Sequence, residues 1–129
     1  MRKFVYYWLP LLAWLATIFY FSSHAHVNIT QSTFYDLIIF KILHMIEYAI
    51  LYFLFFRAIY SLRVKTLSIN EVLILAVLFS ILYSISDEIH QTFIPTREGR
   101  IRDVLIDTTG IVLMYIYIKY KFRDIKDLL

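Results

Sequence analysis

The chain has 129 residues, of which 60% are hydrophobic and 19% aromatic, and its formal net charge is +3 at pH 7. This apolar share exceeds that of soluble domains and predicts a single membrane domain over residues 1–129. The absence of cysteine excludes disulfide bridges and thiolate zinc sites. The basic residues stand in short flanks rather than along one helix face, which argues against a nucleic-acid partner.

Four apolar stretches predict transmembrane helices at about 4–21, 41–60, 70–91 and 103–120. The first stretch has no charge between Phe4 and Phe21, whereas each of the others carries polar groups near one end. A cleaved secretory signal is an alternative for the first stretch, although its apolar region is longer than usual for a signal. We expect residues 33–40 to lie on the membrane surface as a short amphipathic piece. The expected fold class is an all-α integral membrane protein, a bundle of four transmembrane helices.

The distribution of lysine and arginine predicts a multi-pass protein of the cell membrane with both termini in the cytoplasm. This arrangement places nine of the 13 basic residues on the cytoplasmic side, as the positive-inside rule requires. The exception is a group of three arginines, Arg97, Arg100 and Arg102, which would lie outside. A basic group on the wrong side indicates a functional role rather than a topological signal.

Polar side chains form the most informative pattern in the chain. Ionisable groups inside a membrane span are costly unless they face protein, water or a ligand. Successive residues of a helix are rotated by about 100°. With this rotation, the polar residues within each of the last three predicted spans fall on one face of the helix. All three faces lie near the outer leaflet in the expected topology. The candidate binding residues are Lys41, His44, Glu47, Tyr48, Asp87, Glu88, His90, Gln91, Arg97, Arg100, Asp103 and Asp107. Pro95 and Gly110 are predicted to be structural, and Gly110 permits two helices to approach closely.

Two interpretations of these faces stay open. They can form a satisfied hydrogen-bond network between helices, or they can line an outward-facing pocket for a lipid-linked or glycopeptide ligand. In the second case the arginines would meet anionic groups of the ligand. We expect membrane lipids as further partners and no cofactor.

An enzyme acting on a lipid-linked substrate is the alternative function, with Asp87 or Glu88 and His44 or His90 as acid and base. The same residues, with Glu47, offer nitrogen and oxygen ligands to a divalent metal, but no H-E-x-x-H signature is present. A proton or ion path is disfavoured because no polar stripe continues to the cytoplasmic side.

Three motifs carry a resemblance to a known family. They are the aromatic segment that ends in Phe21-Ser22-Ser23, the run Lys41-x-x-His44-x-x-Glu47-Tyr48, and the run Asp87-Glu88-Ile89-His90-Gln91-x-Phe93-x-Pro95-x-Arg97, which is followed by Asp103-x-x-x-Asp107-x-x-Gly110. Together they resemble the VanZ-like family of bacterial membrane proteins over nearly the whole chain. Thr96 stands where many relatives carry glycine, and Asp107 stands where asparagine is frequent.

The resemblance implies a role in the cell envelope. The family's namesake is an accessory factor that lowers sensitivity to the glycopeptide antibiotic teicoplanin without rebuilding the peptidoglycan precursor. The matching positions coincide with those that the helical faces select. The resemblance therefore supports the place of the site but does not name a reaction.

Overall fold

A computed structural model describes residues 2–24, 33–95 and 99–125. The described chain is helical and contains four helices. Their bounds are α1 (Arg2–Ser22), α2 (Thr33–Ser61), α3 (Ile69–Gln91) and α4 (Ile101–Ile125). The expected all-helical class is confirmed.

The helix ends follow from local sequence. Ser68 and Glu71 form a capping box at the start of α3, in which the Ser68 hydroxyl accepts from the Glu71 N–H and the Glu71 carboxylate accepts from the Ser68 N–H. Arg63, just after α2, has a φ of 48°, the left-handed conformation that commonly follows a helix. The connection between α2 and α3 is thus short and well defined.

Three helical segments are long and apolar enough to cross a membrane, namely Phe4–Ser22, Ile38–Ser61 and Ile69–Gln91. They correspond to the first three predicted spans. The described chain holds the fourth predicted span within α4, which does not meet the same criterion because Arg102, Asp103 and Asp107 lie in its first half.

Residues 33–40 differ from the expectation. They form the first two turns of α2 rather than a separate amphipathic piece. The physical reason is continuity, because Tyr35 to Phe56 offers no glycine or proline at which the helix would end.

The α2 helix forms the centre of the molecule and packs against all three other helices. Its fully buried residues Tyr48, Leu51, Tyr52, Phe56 and Ala58 supply much of the core. Large apolar side chains are exposed on all four helices, including Leu9, Ile46, Leu82 and Leu113, while several polar residues are buried. An apolar exterior around a partly polar interior is typical of a membrane protein.

Contacts at the two ends of the molecule show the helix directions. At one end the guanidinium carbon of Arg57 in α2 lies 4.4 Å from the ring centroid of Tyr6 in α1, and the rings of Phe56 and Phe122 lie 6.3 Å apart. At the other end Ser23, just after α1, contacts His90 in α3. Consecutive helices therefore run antiparallel, and the described N- and C-terminal residues lie at the same end.

Gly110 sets the distance between α2 and α4. A Cβ atom built on Gly110 would overlap the carbonyl oxygen of Met45 and lie 2.8 Å from its carbonyl carbon. These are backbone atoms, so no change of rotamer relieves the overlap. Gly110 therefore lies where α2 and α4 approach closely, as the sequence predicts for this residue.

We therefore predict that Gly110→Ala destabilises the protein. Helix propensity alone would favour alanine by about 1 kcal/mol, so a loss of about 1–3 kcal/mol reports the overlap with Met45. Thermal unfolding of the purified protein in detergent measures it, with the exposed neighbour Thr109→Ala as the control. Equal midpoints for both variants would show that α2 and α4 do not rely on this contact.

Candidate functional site

A group of buried polar side chains lies at the end of the molecule where α3 ends and α4 begins. We call it the polar cluster, and it consists of His44 from α2, Ser84, Asp87, Glu88 and Gln91 from α3, and Asp107 from α4. Except for His44, all members are at most 6% exposed. The sequence-predicted faces of three helices thus meet at one level of the structure.

Asp107 links the three helices. Its Oδ1 lies 3.2 Å from His44 Nδ1, and its Oδ2 accepts a 2.7 Å hydrogen bond from the Ser84 hydroxyl. Asp107 is 0% exposed, whereas the His44 side chain is 25% exposed. Both carboxylate oxygens of Asp107 therefore have a partner. Asp107 itself is buried, and its partner His44 reaches the surface.

The other two carboxyl groups of the cluster have different partners. The Gln91 amide donates a 3.0 Å hydrogen bond to Asp87 Oδ2 within α3. Glu88 Oε2 accepts a 2.9 Å hydrogen bond from the backbone N–H of Arg100, just before α4. Glu88 and Asp87 also interact electrostatically with Asp107. Three carboxyl groups therefore lie close together in a buried environment.

Gly99 brings the loop before α4 against α3. A Cβ atom on Gly99 would overlap the carbonyl oxygen of Glu88 and lie 2.7 Å from Thr92 Cγ2. Only a residue without a side chain permits this approach, which places the Arg100 N–H at the Glu88 carboxylate. The sequence analysis missed Gly99 as a structural residue, although a lone glycine directly before a helix was the available signal.

Three buried polar atoms lack a hydrogen-bond partner in the described part of the chain. They are the Tyr48 hydroxyl, Glu88 Oε1 and the Ser22 hydroxyl. Tyr48 is 0% exposed and interacts electrostatically with Asp87 and Asp107. Unpaired buried polar groups are rare and each calls for an explanation.

Four charged residues lie beside the cluster at the same end of the molecule, and we call them the rim. Lys41 and Asp103 lie about one turn before His44 and Asp107 and are half-buried, while Arg100 and Arg102 are exposed. Arg102 Nε lies 3.6 Å from Asp103 Oδ1. The rim therefore carries most of the positive charge that the described residues place at this end.

The structure places His90 away from the cluster. His90 Nε2 lies 3.0 Å from the Ser23 hydroxyl, and the His90 ring lies 4.7 Å from that of Phe19 in α1. Glu47 is half-buried, and its backbone carbonyl accepts a 3.1 Å hydrogen bond from Trp14 Nε1 in α1. Its side chain interacts electrostatically with His44 and Tyr48, so Glu47 lies beside the polar cluster.

Two predicted residues follow α3 in the sequence. Pro95 is exposed in the turn after α3. Arg97 lies outside the described residues. Ser84, by contrast, is a cluster member that the candidate residues omitted, although its spacing from Asp87 and Gln91 on one helical face was the available signal.

The chemistry of the cluster is acidic and hydrogen-bonding. Its ionisable groups are three carboxyls and one imidazole, with hydroxyl and amide groups between them. Within residues 2–24, 33–95 and 99–125, no three His, Cys, Asp or Glu side chains are arranged to hold a metal ion. The arrangement can bind a polar group through several hydrogen bonds.

Comparison with known proteins gave one match. A family model described as VanZ/LLP1 matches residues 4–123, which include all four helices nearly in full. The resemblance carried by the sequence motifs is thereby confirmed. No curated protein and no solved structure matches the chain.

We predict that Asp107→Ala is strongly destabilising because His44 and Ser84 lose their common acceptor. Each buried donor left unpaired costs about 1–3 kcal/mol. Asp107→Asn keeps one acceptor oxygen and the shape, so its loss is smaller. Unfolding in detergent measures both, and Asp103→Ala, one turn away and half-buried, is the control. If Asp107→Ala and Asp103→Ala unfold alike, Asp107 does not join the three helices.

Proposed function

This chain belongs to the VanZ/LLP1 family, and we propose that it is a multi-pass protein of the cell membrane with a binding site on its outer side. The polar cluster and its rim form this site. The site alters how a glycopeptide antibiotic of the teicoplanin type, or a lipid-linked surface ligand, engages the envelope. The observation that carries the proposal is the meeting of costly polar groups from three helices at one end of the molecule.

The first element of the proposal is that α4 also crosses the membrane. Its acidic residue Asp107 is fully buried and paired, so the charge does not face lipid. Large apolar side chains of the same helix are exposed, as in the other three helices: Leu105, Val112, Leu113, Ile116 and Tyr117. An apolar outer surface with a shielded acid suits a helix in lipid.

The second element is orientation. The end opposite the polar cluster carries exposed basic residues in the α2–α3 connection and at the end of α4: Arg63, Lys65, Lys119, Lys121 and Arg123. The positive-inside rule places this end in the cytoplasm. The polar cluster then lies near the outer leaflet.

The third element is the character of the ligand contact. Arg100 and Arg102 are exposed on the rim and offer planar, multi-donor groups to phosphate or carboxylate. Arg97 belongs to the same segment of the sequence. The buried cluster behind them keeps the rim in place through the bond between Glu88 and the Arg100 N–H.

A labelling experiment tests the topology. The chain has no cysteine, so each single-cysteine variant carries one reactive thiol. Phe93 is 78% exposed beside the polar cluster, and Tyr120 is 82% exposed at the other end. We expect a membrane-impermeant maleimide to label Phe93→Cys on intact cells and Tyr120→Cys only after permeabilisation. Labelling of both variants from the same side would exclude the proposed topology.

A resistance assay tests the role. We expect expression of the protein to lower teicoplanin sensitivity, and Asp87→Asn or Arg97→Ala to remove this effect while the membrane level of the protein stays unchanged. Asp124→Asn, an exposed acid at the opposite end that pairs with Lys121, is the matched control. Unchanged teicoplanin sensitivity on both deletion and overexpression would refute the antibiotic role.

A further inference from the structure

The fully buried ionisable residues at the end of the polar cluster are all acidic. Asp87, Glu88 and Asp107 are all buried carboxylic residues, whereas the described cations of this end, Lys41, Arg100 and Arg102, are half-buried or exposed. Buried carboxylates need a counter-charge or a proton. His44, which is partly exposed, lies 3.2 Å from Asp107 and also interacts electrostatically with Glu88. The interior of the site therefore suits a positively charged group.

Two buried polar atoms point to a ligand independently of this charge. Among the described residues Glu88 Oε1 has no hydrogen-bond partner, although Oε2 of the same carboxyl accepts from the Arg100 N–H. The Tyr48 hydroxyl is a second atom without a partner in this part of the chain, and Tyr48 is 0% exposed. Asp87 and Asp107 interact electrostatically with both residues. Both atoms therefore belong to residues that lie near the buried carboxyl groups.

We propose that Glu88, Tyr48 and Asp87 bind a primary ammonium group, and that the rim arginines Arg100 and Arg102 bind the phosphate beside it. The ligand class is a phosphoethanolamine-type zwitterion, free or as a lipid headgroup. This inference rests on the outward-facing site of the proposed function and names the chemistry it recognises.

The chemistry of the site selects a primary ammonium group among cations. Such a group donates three hydrogen bonds, which matches a free carboxylate oxygen and a phenolic oxygen as acceptors. A trimethylammonium group has no N–H, so it cannot donate a hydrogen bond to these acceptors. Glu88 and Gln91 lie in the last turn of α3, at the same end of the molecule as the rim.

Thermal unfolding of the purified full chain in neutral detergent tests the inference. The probes are dioleoyl-phosphatidylethanolamine, dioleoyl-phosphatidylcholine and soluble O-phosphoethanolamine. We expect phosphatidylethanolamine, at saturating concentration, to raise the unfolding midpoint by about 5 °C relative to phosphatidylcholine. A shift with O-phosphoethanolamine alone shows that the free headgroup suffices, whereas a shift with the lipid only identifies a membrane lipid as the source.

The variant Tyr48→Phe separates loss of ligand binding from loss of stability. Its hydroxyl has no partner in the described structure, so its removal leaves the unliganded protein at least as stable. We expect this variant and Glu88→Gln to lose the shift with phosphatidylethanolamine, and Asp124→Asn to keep it. A full shift in Tyr48→Phe, or equal midpoints with the two lipids, would overturn the ammonium assignment.

The two proposals fail separately. Equal effects of the two lipids, together with a teicoplanin response that depends on Asp87, would overturn the ammonium assignment alone. Labelling of Phe93→Cys from the cytoplasmic side only would overturn the outward-facing site as well.

Discussion

The structure depends on one buried carboxylate, that of Asp107. An aspartate in an apolar segment is costly unless its carboxyl group is paired, and here His44 and Ser84 engage its two oxygens from two other helices. Because these partners come from α2 and α3, the carboxylate fixes the relative rotation of three helices. Close packing at Gly110, one turn away, then sets the separation of α2 and α4. The site and the fold are therefore parts of the same arrangement.

Much of this architecture was predictable from spacing. The faces defined by His44 on α2, by Asp87 and Gln91 on α3, and by Asp107 on α4 were predicted from helical periodicity. In the structure Asp107 contacts His44 and Ser84 and interacts electrostatically with Asp87. The pattern was informative because polar residues in apolar segments have few acceptable orientations. Periodicity shows which residues share a face, but it does not show which atoms pair across helices.

The details that sequence could not supply have physical reasons. His90 lies among acidic residues in the sequence, yet its ring contacts Phe19 and Ser23 because α1 packs beside the end of α3. The sequence does not show that Gly99 approaches the Glu88 carbonyl, because this contact depends on the path of the loop between α3 and α4. The predicted fourth span, in α4, is the hardest to recognise from its composition, because Arg102, Asp103 and Asp107 interrupt the apolar sequence even though Asp107 is buried. Average hydropathy treats an exposed and a buried aspartate alike.

The pairing of α2 with α4 has a consequence for how the protein is made. Gly110 of α4 lies against the Met45 backbone of α2, and the ribosome synthesises α2 and α3 before α4. Until then His44 and Ser84 lack the acceptor that α4 brings, and a nascent chain halted at this stage would present them to lipid or to the translocation machinery. The contacts of Asp107 with His44 and Ser84 therefore form only after α4 has been made.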